Sequence, residues 1–372
     1  MEATMSKSKG FLAGEKADDA KTDDGGWRKT DMELWAKVST ALHLKKMDEL
    51  VEVNRKRMIM AAMDLEDRGL VPDADAEQVI EFRKSWIARW SGNYGSFDDI
   101  TIIDPMRFTY DPAPPCARPC NTLQVYSVKV AAIIGDLQWP LDVFGMVAVR
   151  DSVDRNRNLI FYRTRESCQT LADKDQCLVL SGPSRAVVSA DPVIIEVELK
   201  VKGTIESEDK DLSLLAVPLT YSGGSGSYRF EYTSKLSTLE FMLGEIVSSV
   251  EATIFILVIG GSWPEGFHGQ FAARTLSIGQ QRVILLDFRD DNVPVSADGI
   301  MKLSRHVVSV DVSGKLKVSF KAWQDGCKAV EGEVVFTPAK AGRSYGILHC
   351  GSCRMEVLVA WSLISPEPEP DY

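Results

Sequence analysis

The sequence lacks a long apolar run. Its longest, Ile254–Ile259, is the length of a strand and far short of the roughly 18–20 residues that a membrane-spanning helix needs. The amino-terminal residues also lack the apolar segment of a signal peptide, and they are too acidic for a typical transit peptide. We therefore expect no membrane contact and a location in the cytoplasm or nucleus.

Cysteine and histidine are scarce. The seven cysteines are an odd number at scattered positions, which fits reduced thiols better than a secreted disulfide framework. None of the four histidines lies in a Gly-x-Ser-x-Gly or catalytic-cysteine context, and no glycine-rich phosphate-binding motif is present. Signatures of nucleophilic catalysis and of nucleotide binding are therefore missing.

Positive charge is in deficit, since the formal net charge is −10. General nucleic-acid or anionic-membrane binders need a cationic surface to displace counterions from phosphate. The overall charge argues against that class of function, although it leaves a local basic patch open.

What the sequence does contain is an internal repeat. Trp139–Arg150 returns 124 positions later as Trp263–Arg274, with Trp, Pro, Gly, Ala and Arg retained, and a strand-like run precedes each copy. A second echo, Arg185–Asp191 against Arg305–Asp311, is spaced by 120 positions. Repetition at this spacing indicates two copies of one structural unit.

The repeated motif has a structural and a functional interpretation. Structurally, proline starts a turn, glycine allows close backbone approach, alanine packs in the core and arginine caps the strand end. Functionally, the paired tryptophans and arginines would form two equivalent ligand pockets. We favour the structural interpretation, because shared core geometry needs no ligand to explain it.

The pattern along the chain predicts five segments. They are a disordered arm at 1–30, a helical hairpin at 31–92, a first β unit at 93–235, a second β unit at 236–364 and a disordered tail at 365–372. The second helix is expected to begin at Asp73 or Asp75 and to end at Gly92 or Gly95. Whether the hairpin packs on itself, on the body of the protein or on a partner stays open.

After Gly95 the apolar period shifts toward two. Strands are expected at 123–130, 193–201, 228–232, 283–288, 315–323 and 355–361. The fold class is therefore mainly β with an α-helical amino-terminal region, built from two tandem, duplicated, antiparallel sandwich-like units.

Three other patterns have both a chemical interpretation and an ordinary structural one. Cys350-x-x-Cys353, with Cys116 and Cys120, has the spacing of a zinc or redox site, and the acidic run Glu206–Asp211 with Asp151, Asp154, Asp287, Asp290 and Asp291 has oxygens that suit Ca²⁺. Glu52-x-x-Arg55 has a spacing found in some N-glycosidases. We interpret them as ordinary thiols, solvated turns and a helical ion pair, and expect no catalytic residue, metal or cofactor.

The best candidates for contact with a partner are tryptophans. They are Trp35, Trp86 and Trp90 in the helical region and Trp139 and Trp263 in the repeated motif.

Several motifs together resemble a known family. They are Gly95-Ser96-Phe97-Asp98-Asp99, Pro105-Met106-Arg107-Phe108, Leu137-Gln138-Trp139-Pro140, Leu180-Ser181-Gly182-Pro183-Ser184-Arg185, Leu199-Lys200-Val201-Lys202-Gly203 and Glu208-Asp209-Lys210-Asp211-Leu212. Over roughly residues 95–364 the chain resembles a cereal-plant domain family of unknown function. That domain is similar to the carboxy-terminal domain of the cereal jasmonate-induced protein, a ribosome-inactivating type.

The resemblance implies a plant stress or defence context. With the absence of catalytic signatures, it leads us to expect a non-enzymatic interaction module with a protein partner. The alternative is translation control through ribosome or mRNA-cap contact, for which Trp139 with Trp263, or Trp323 with Trp361, would have to sandwich the base. A weaker alternative is rRNA N-glycosidase activity, related by family name only.

Overall fold

The computed structural model describes residues 73–110, 112–219, 224–289, 293–324, 326 and 328–365. The predicted arm, the first predicted helix with Trp35 and Glu52, and residues 366–372 of the predicted tail lie outside these residues. Within them, one α-helix, α1 (Ala74–Tyr94), precedes a chain of antiparallel strands. The mainly β fold class is confirmed.

Sixteen strands follow α1 in the described residues. The first eight are β1 (Cys120–Ile133), β2 (Leu141–Arg150), β3 (Asn158–Arg163), β4 (Gln169–Leu171), β5 (Val187–Val188), β6 (Val193–Val201), β7 (Lys210–Leu219) and β8 (Gly226–Ser234). The others are β9 (Ser237–Gly260), β10 (His268–Thr275), β11 (Val283–Phe288), β12 (Val307–Asp311), β13 (Leu316–Trp323), β14 (Val330–Phe336), β15 (Ala341–Cys350) and β16 (Cys353–Ser362). A short 3₁₀ helix, Glu206–Glu208, lies between β6 and β7.

The start and end of α1 follow the predicted signals. Asp73 is the N-cap, and its carboxylate accepts a hydrogen bond from the Ala76 amide at 3.0 Å. Gly95, at φ 85°, is the C-cap. The backbone amide of Lys235, in the turn between β8 and β9, donates to the Asp75 carboxylate at 2.8 Å, so the helix begins anchored to the β body.

Each repeat forms two facing sheets. In the first, β5, β1, the first half of β9 and β8 face the sheet β3-β2-β6-β7, with β4 paired to β2. In the second, β12, the second half of β9, β16 and β15 face the sheet β11-β10-β13-β14. Each pair encloses its own apolar core, as expected from strands whose alternate residues are apolar.

Strand β9 belongs to both repeats. Its residues 237–249 pair with β1, and residues 251–260 pair with β16. The boundary that the sequence predicts, between residues 235 and 236, assigns all of β9 to the second unit. In the structure the first half of β9 completes the sheet of the first unit. The two repeats are therefore joined by a continuous strand and not by a linker.

A buried arginine adds a second connection between the repeats. Arg305, from the second echo, is 2% exposed and donates to the backbone carbonyls of Val125 (2.7 Å) and Tyr126 (3.5 Å) on β1. Burial lowers the pKa of its guanidinium to about 9. Its counterpart Arg185 instead pairs with two carboxylates, Asp151 at 2.7 Å and Asp154 at 3.0 Å.

Candidate functional site

Both described tryptophans of α1 contact the protein itself. Trp86 is 3% exposed, its Nε1 donates to the Arg155 carbonyl at 3.0 Å, and its ring packs edge-on against Phe97. Trp90 is half-buried, with the Arg155 guanidinium 4.8 Å from its ring centre. Of the three packings left open for the helical region, α1 adopts the one on the body of the protein.

The repeated tryptophans lie in two different cores. Trp139 is half-buried against the core of the first repeat, and Trp263 lies within that of the second. The Trp263 Nε1 donates to the Phe267 carbonyl at 2.9 Å. Trp361 is fully buried, while Trp323 is half-buried on the opposite sheet. The structure therefore brings neither Trp139 to Trp263 nor Trp361 to Trp323.

A buried ion network lies on the outer face of the first repeat, under α1. Glu196 on β6 bridges two arginines: Arg150 Nε lies 2.7 Å from one carboxylate oxygen, and Arg157 NH2 lies 2.5 Å from the other. All three residues are at most 5% exposed. Charges this deeply buried are tolerated when they are paired and hydrogen-bonded.

The segment after α1 completes the cover of this face. Asp98 accepts from Arg157 at 3.1 Å and from Arg83 of α1 at 2.5 Å. The Phe97 ring lies against three guanidinium groups, those of Arg83, Arg150 and Arg157, at 4.7, 4.2 and 5.1 Å. An aromatic and acidic segment of the chain thus covers an arginine-rich sheet face.

The network sets the charge states of its members. Burial alone raises the pKa of Glu196, but Arg150 and Arg157 outweigh it and lower that pKa to about 2. Burial lowers the pKa of Arg150 to about 10. Near neutral pH the network therefore holds a charged carboxylate between charged guanidinium groups.

We predict that Trp86→Phe lowers the free energy of unfolding by about 1–2 kcal/mol, because it removes the Nε1 hydrogen bond to the Arg155 carbonyl, which then accepts only from Arg150, and leaves part of the buried indole volume unfilled while keeping the ring contact with Phe97. Urea denaturation measures the change, and hydrogen exchange of α1 amides locates it. Trp90→Phe is the control, with an expected change of less than about 0.5 kcal/mol. Equal effects of the two substitutions would contradict this account of the docking of α1.

The second repeat places the same backbone positions on an equivalent face. Ala148 pairs with Glu196 between β2 and β6, and Ala272 pairs with Ser319 between β10 and β13. The β2–β3 and β10–β11 ladders also share a bulge at the same step. Arg150 and Arg157 therefore correspond to Arg274 and Arg282.

In the described residues this second face has no helix over it. It forms an open groove of about 900 Å³ between β10, β13 and β14. The polar and aromatic groups that line it include Gln270, Arg274, Arg282, Lys317, Ser319, Lys321, Trp323, Glu331 and Glu333. Among these described residues four cations face two carboxylates, so they make the groove basic in a chain of net charge −10. We call it the open face.

Some of these charges pair with each other. Lys317 lies 2.6 Å from Glu333, and Lys321 lies 3.5 Å from Glu331. The Arg274 NH1 donates to the Gln280 side-chain oxygen at 2.5 Å, whereas its Nε is inaccessible to solvent and has no acceptor among the described residues. The pairs neutralise the lysines and leave two arginines as the cationic centre of the open face.

Four of the acidic residues weighed as a calcium site are engaged in ion pairs. Asp209 binds Arg165 at 2.9 Å, Asp211 binds Lys200 at 2.5 Å, and Asp151 and Asp154 bind Arg185. Asp290 and Asp291 lie outside the described residues. Across the described ranges, no three His, Cys, Asp or Glu side chains converge on a common point.

The four cysteines weighed as a zinc site lie at opposite ends of β16. Cys350 and Cys353 face each other in the β15–β16 hairpin, at the start of that strand, while Cys120 contacts the Ile364 carbonyl beyond its end. At 3.2–3.4 Å per residue the two ends are about 30 Å apart. Burial, then the neighbouring Cys353, raises the pKa of Cys350 to about 11, which disfavours a reactive thiolate.

The residues of the open face were missed at the sequence level, apart from the repeated arginine at 274 and Trp323. The sequence did carry one signal, because alternate residues of β6 and β13 point away from the core. Among these outward residues, Glu196 and Glu198 of β6 correspond to Ser319 and Lys321 of β13. The repeated arginines were expected to cap strand ends. Arg150 is the last residue of β2, and its guanidinium belongs to the buried network because the Glu196 carboxylate of the neighbouring strand lies 2.7 Å from its Nε.

Known proteins were compared with the chain. A family model described as Domain of unknown function (DUF6598) matches residues 122–359. None of the curated proteins matches. In the residues that the structure describes, no helix has the length and apolar character to cross a bilayer.

Two solved structures show a weak likeness. Human GIVD cytosolic phospholipase A2 is 9% identical over 67% of this chain and 31% of its own, with a TM-score of 0.23, so the chain spans about a third of that protein. The two C2 domains of extended-synaptotagmin 2, with calcium bound, are 8% identical over 67% of this chain and 98% of theirs, with a TM-score of 0.23. At these TM-scores the likeness carries no conclusion.

Proposed function

We propose that this chain, which belongs to the DUF6598 family of domains of unknown function, is a non-enzymatic interaction module. It binds a protein partner through the open face. One observation carries the proposal. The same sheet face occurs twice, and among the described residues α1 and Phe97 cover it in the first repeat while no helix covers it in the second. A basic groove on an acidic protein is a surface suited to a partner of complementary charge.

The chemistry of the described residues supports a binding role over an enzymatic one. The two arginines, two lysines and two glutamates of the groove bind and orient charged groups, but they include no histidine or cysteine to act as a nucleophile or a base near neutral pH. The plant stress or defence setting and the cytoplasmic or nuclear location rest on the resemblance and belong to this proposal. Translation control through ribosome or cap contact is the alternative.

Affinity capture with the intact protein tests the proposal. Immobilised wild type and the double variant Lys317→Glu, Lys321→Glu are exposed to an extract of the plant tissue that produces the protein. We expect the bound partner to fall by about tenfold or more with the variant, because reversed charge on the face repels it. The matched control Lys302→Glu, Arg354→Glu reverses two exposed cations that do not line the groove and should retain the partner.

Identical capture by all three proteins would contradict the open face as the binding surface. Release of adenine from ribosomal RNA by the purified protein would replace the non-enzymatic function with the glycosidase alternative. Retention on a cap-analogue resin that is lost with Trp139→Ala or Trp263→Ala would favour translation control.

A further inference from the structure

The arginine pair of the second repeat lacks the carboxylate that bridges its counterpart. In the first repeat Glu196 lies between Arg150 and Arg157. The same register position in the second repeat is Ser319, whose side chain donates to the Ala272 carbonyl at 3.5 Å. The second repeat therefore has both arginines but a serine in place of the glutamate between them.

The neighbouring substitutions increase this imbalance. Across the ladder from Arg150 stands Ile194, whereas Lys317 stands across from Arg274. Glu198, two residues after Glu196, corresponds to Lys321. Both lysines are paired with glutamates of β14, so they do not compete with the arginines for the same anion.

We propose that the open face binds an acidic, aromatic-bearing segment of a partner protein, with a partner carboxylate between Arg274 and Arg282 in the place that Glu196 occupies in the first repeat. This inference rests on the proposed function and names the chemistry of its ligand. Guanidinium groups bind carboxylates through paired N–H donors, and Arg274 and Arg282 both line the groove.

The first repeat shows what kind of segment fits. There the arginines hold the ring of Phe97 and the carboxylate of Asp98, which follow a helix that carries Trp86. The chain therefore already contains a protein segment that presents an aromatic ring and a carboxylate to the arginines of the equivalent face. The more basic second face calls for a more acidic segment.

The length of the open face favours a peptide over a single small anion. Along β13 it runs from Lys317 to Trp323, about 20 Å at 3.2–3.4 Å per residue. A lone phosphate or carboxylate spans only a fraction of that distance. A helix of about 13 residues, at 1.5 Å per residue, spans all of it and brings an aromatic side chain to Trp323 while a carboxylate lies at the arginines.

The test measures binding of a labelled peptide to the intact protein by fluorescence anisotropy. The acidic probe is residues 78–99 of this chain with Arg83→Glu, Lys84→Glu and Arg89→Glu, and the matched control is the unaltered peptide. We expect the acidic probe to bind about tenfold or more tightly than the control, and to weaken as salt is raised.

Two independent variants locate the site. Arg274→Gln with Arg282→Gln removes the cations, and Ser319→Glu supplies the missing carboxylate from the chain itself. We expect each to weaken the acidic probe by about tenfold or more, whereas the control Lys302→Gln with Arg354→Gln binds like wild type. Circular dichroism and thermal midpoints establish that each variant is folded.

Other results would overturn the inference. Equal binding of both peptides, or binding of the acidic probe unchanged in both variants, excludes recognition by the arginine pair. Binding of inorganic phosphate or of phosphatidylserine vesicles, with no binding of the acidic probe, assigns the face to a phosphate-bearing ligand. If partner capture still depends on Lys317 and Lys321 in that case, the proposed function stands and only its ligand class is wrong.

Discussion

Replacing Glu196 by glutamine is expected to lower the free energy of unfolding by about 3–5 kcal/mol, because Arg150 then remains buried without a counter-charge and Arg157 keeps only Asp98. Glutamine keeps the volume of the side chain, so the loss reports the charge and not a cavity. Urea denaturation at pH 7 with circular dichroism detection measures it. A loss below about 1 kcal/mol would show that the carbonyls of Phe97 and Arg155, which also accept from Arg150, compensate its charge by themselves.

The pairing of Glu196 with Arg150 and Arg157 also makes the free energy of unfolding depend on pH, and the direction of this dependence follows from the pKa of Glu196. The folded pKa of Glu196 is lowered from 4.5 to about 2, so its ionised form stabilises the fold fully above pH 4.5, and this contribution is lost as the pH falls from 4.5 toward 2. Wild type should therefore lose more stability than Glu196→Gln over this window. The control is Asp136→Asn, which removes an exposed ion pair with Lys210 and should leave the urea midpoint unchanged.

Substituting Gly145 by alanine is expected to cost about 3 kcal/mol or more. Gly145 has φ 112°, where side chains are strained, and an added Cβ would lie 2.1 Å from the backbone oxygen of Glu198 on the paired strand. The strands β2 and β6 would have to separate, which disturbs the ladder that holds Glu196 opposite Ala148. Thermal and urea denaturation measure the loss.

The matched control is Gly92→Ala in α1. A Cβ at Gly92 meets nothing within 4 Å, so alanine should raise stability by about 0.5–1 kcal/mol through its lower conformational entropy in the unfolded chain. If Gly145→Ala were as well tolerated as Gly92→Ala, the close approach between β2 and β6 would not need glycine.

The strands were predictable because alternation of apolar residues is a local property. Val193–Val201 and Val283–Phe288 were predicted with the bounds that β6 and β11 have. The motif glycine was also interpreted correctly at Gly145, where backbone approaches backbone. At Gly269 an added Cβ would instead meet the rings of Phe288 and Trp263, at 2.3 and 2.8 Å, a contact that depends on tertiary packing.

The open face was not predictable from the repeat alone. The similarity between copies is concentrated in β2 and β10, which supply one arginine of each pair, whereas the residue that distinguishes the faces lies on the partner strands. Glu196 and Ser319 become equivalent only when the ladders are known. The motif alanines, expected in the core, are buried on the outer face, because β2 and β10 direct them away from the sandwich interior.

The continuous strand β9 has a consequence for how the duplication is maintained. Tandem copies joined by a flexible linker change their relative orientation and unfold independently. Recombination can then delete either copy without harm to the other. Here the closing strand of one copy and the opening strand of the next are covalently a single element of 24 residues, hydrogen-bonded on both flanks. A cut within either half takes central-strand residues away from one repeat and leaves the strands that paired with them with a bare, aggregation-prone edge, so the two copies cannot be separated as they could at a flexible linker.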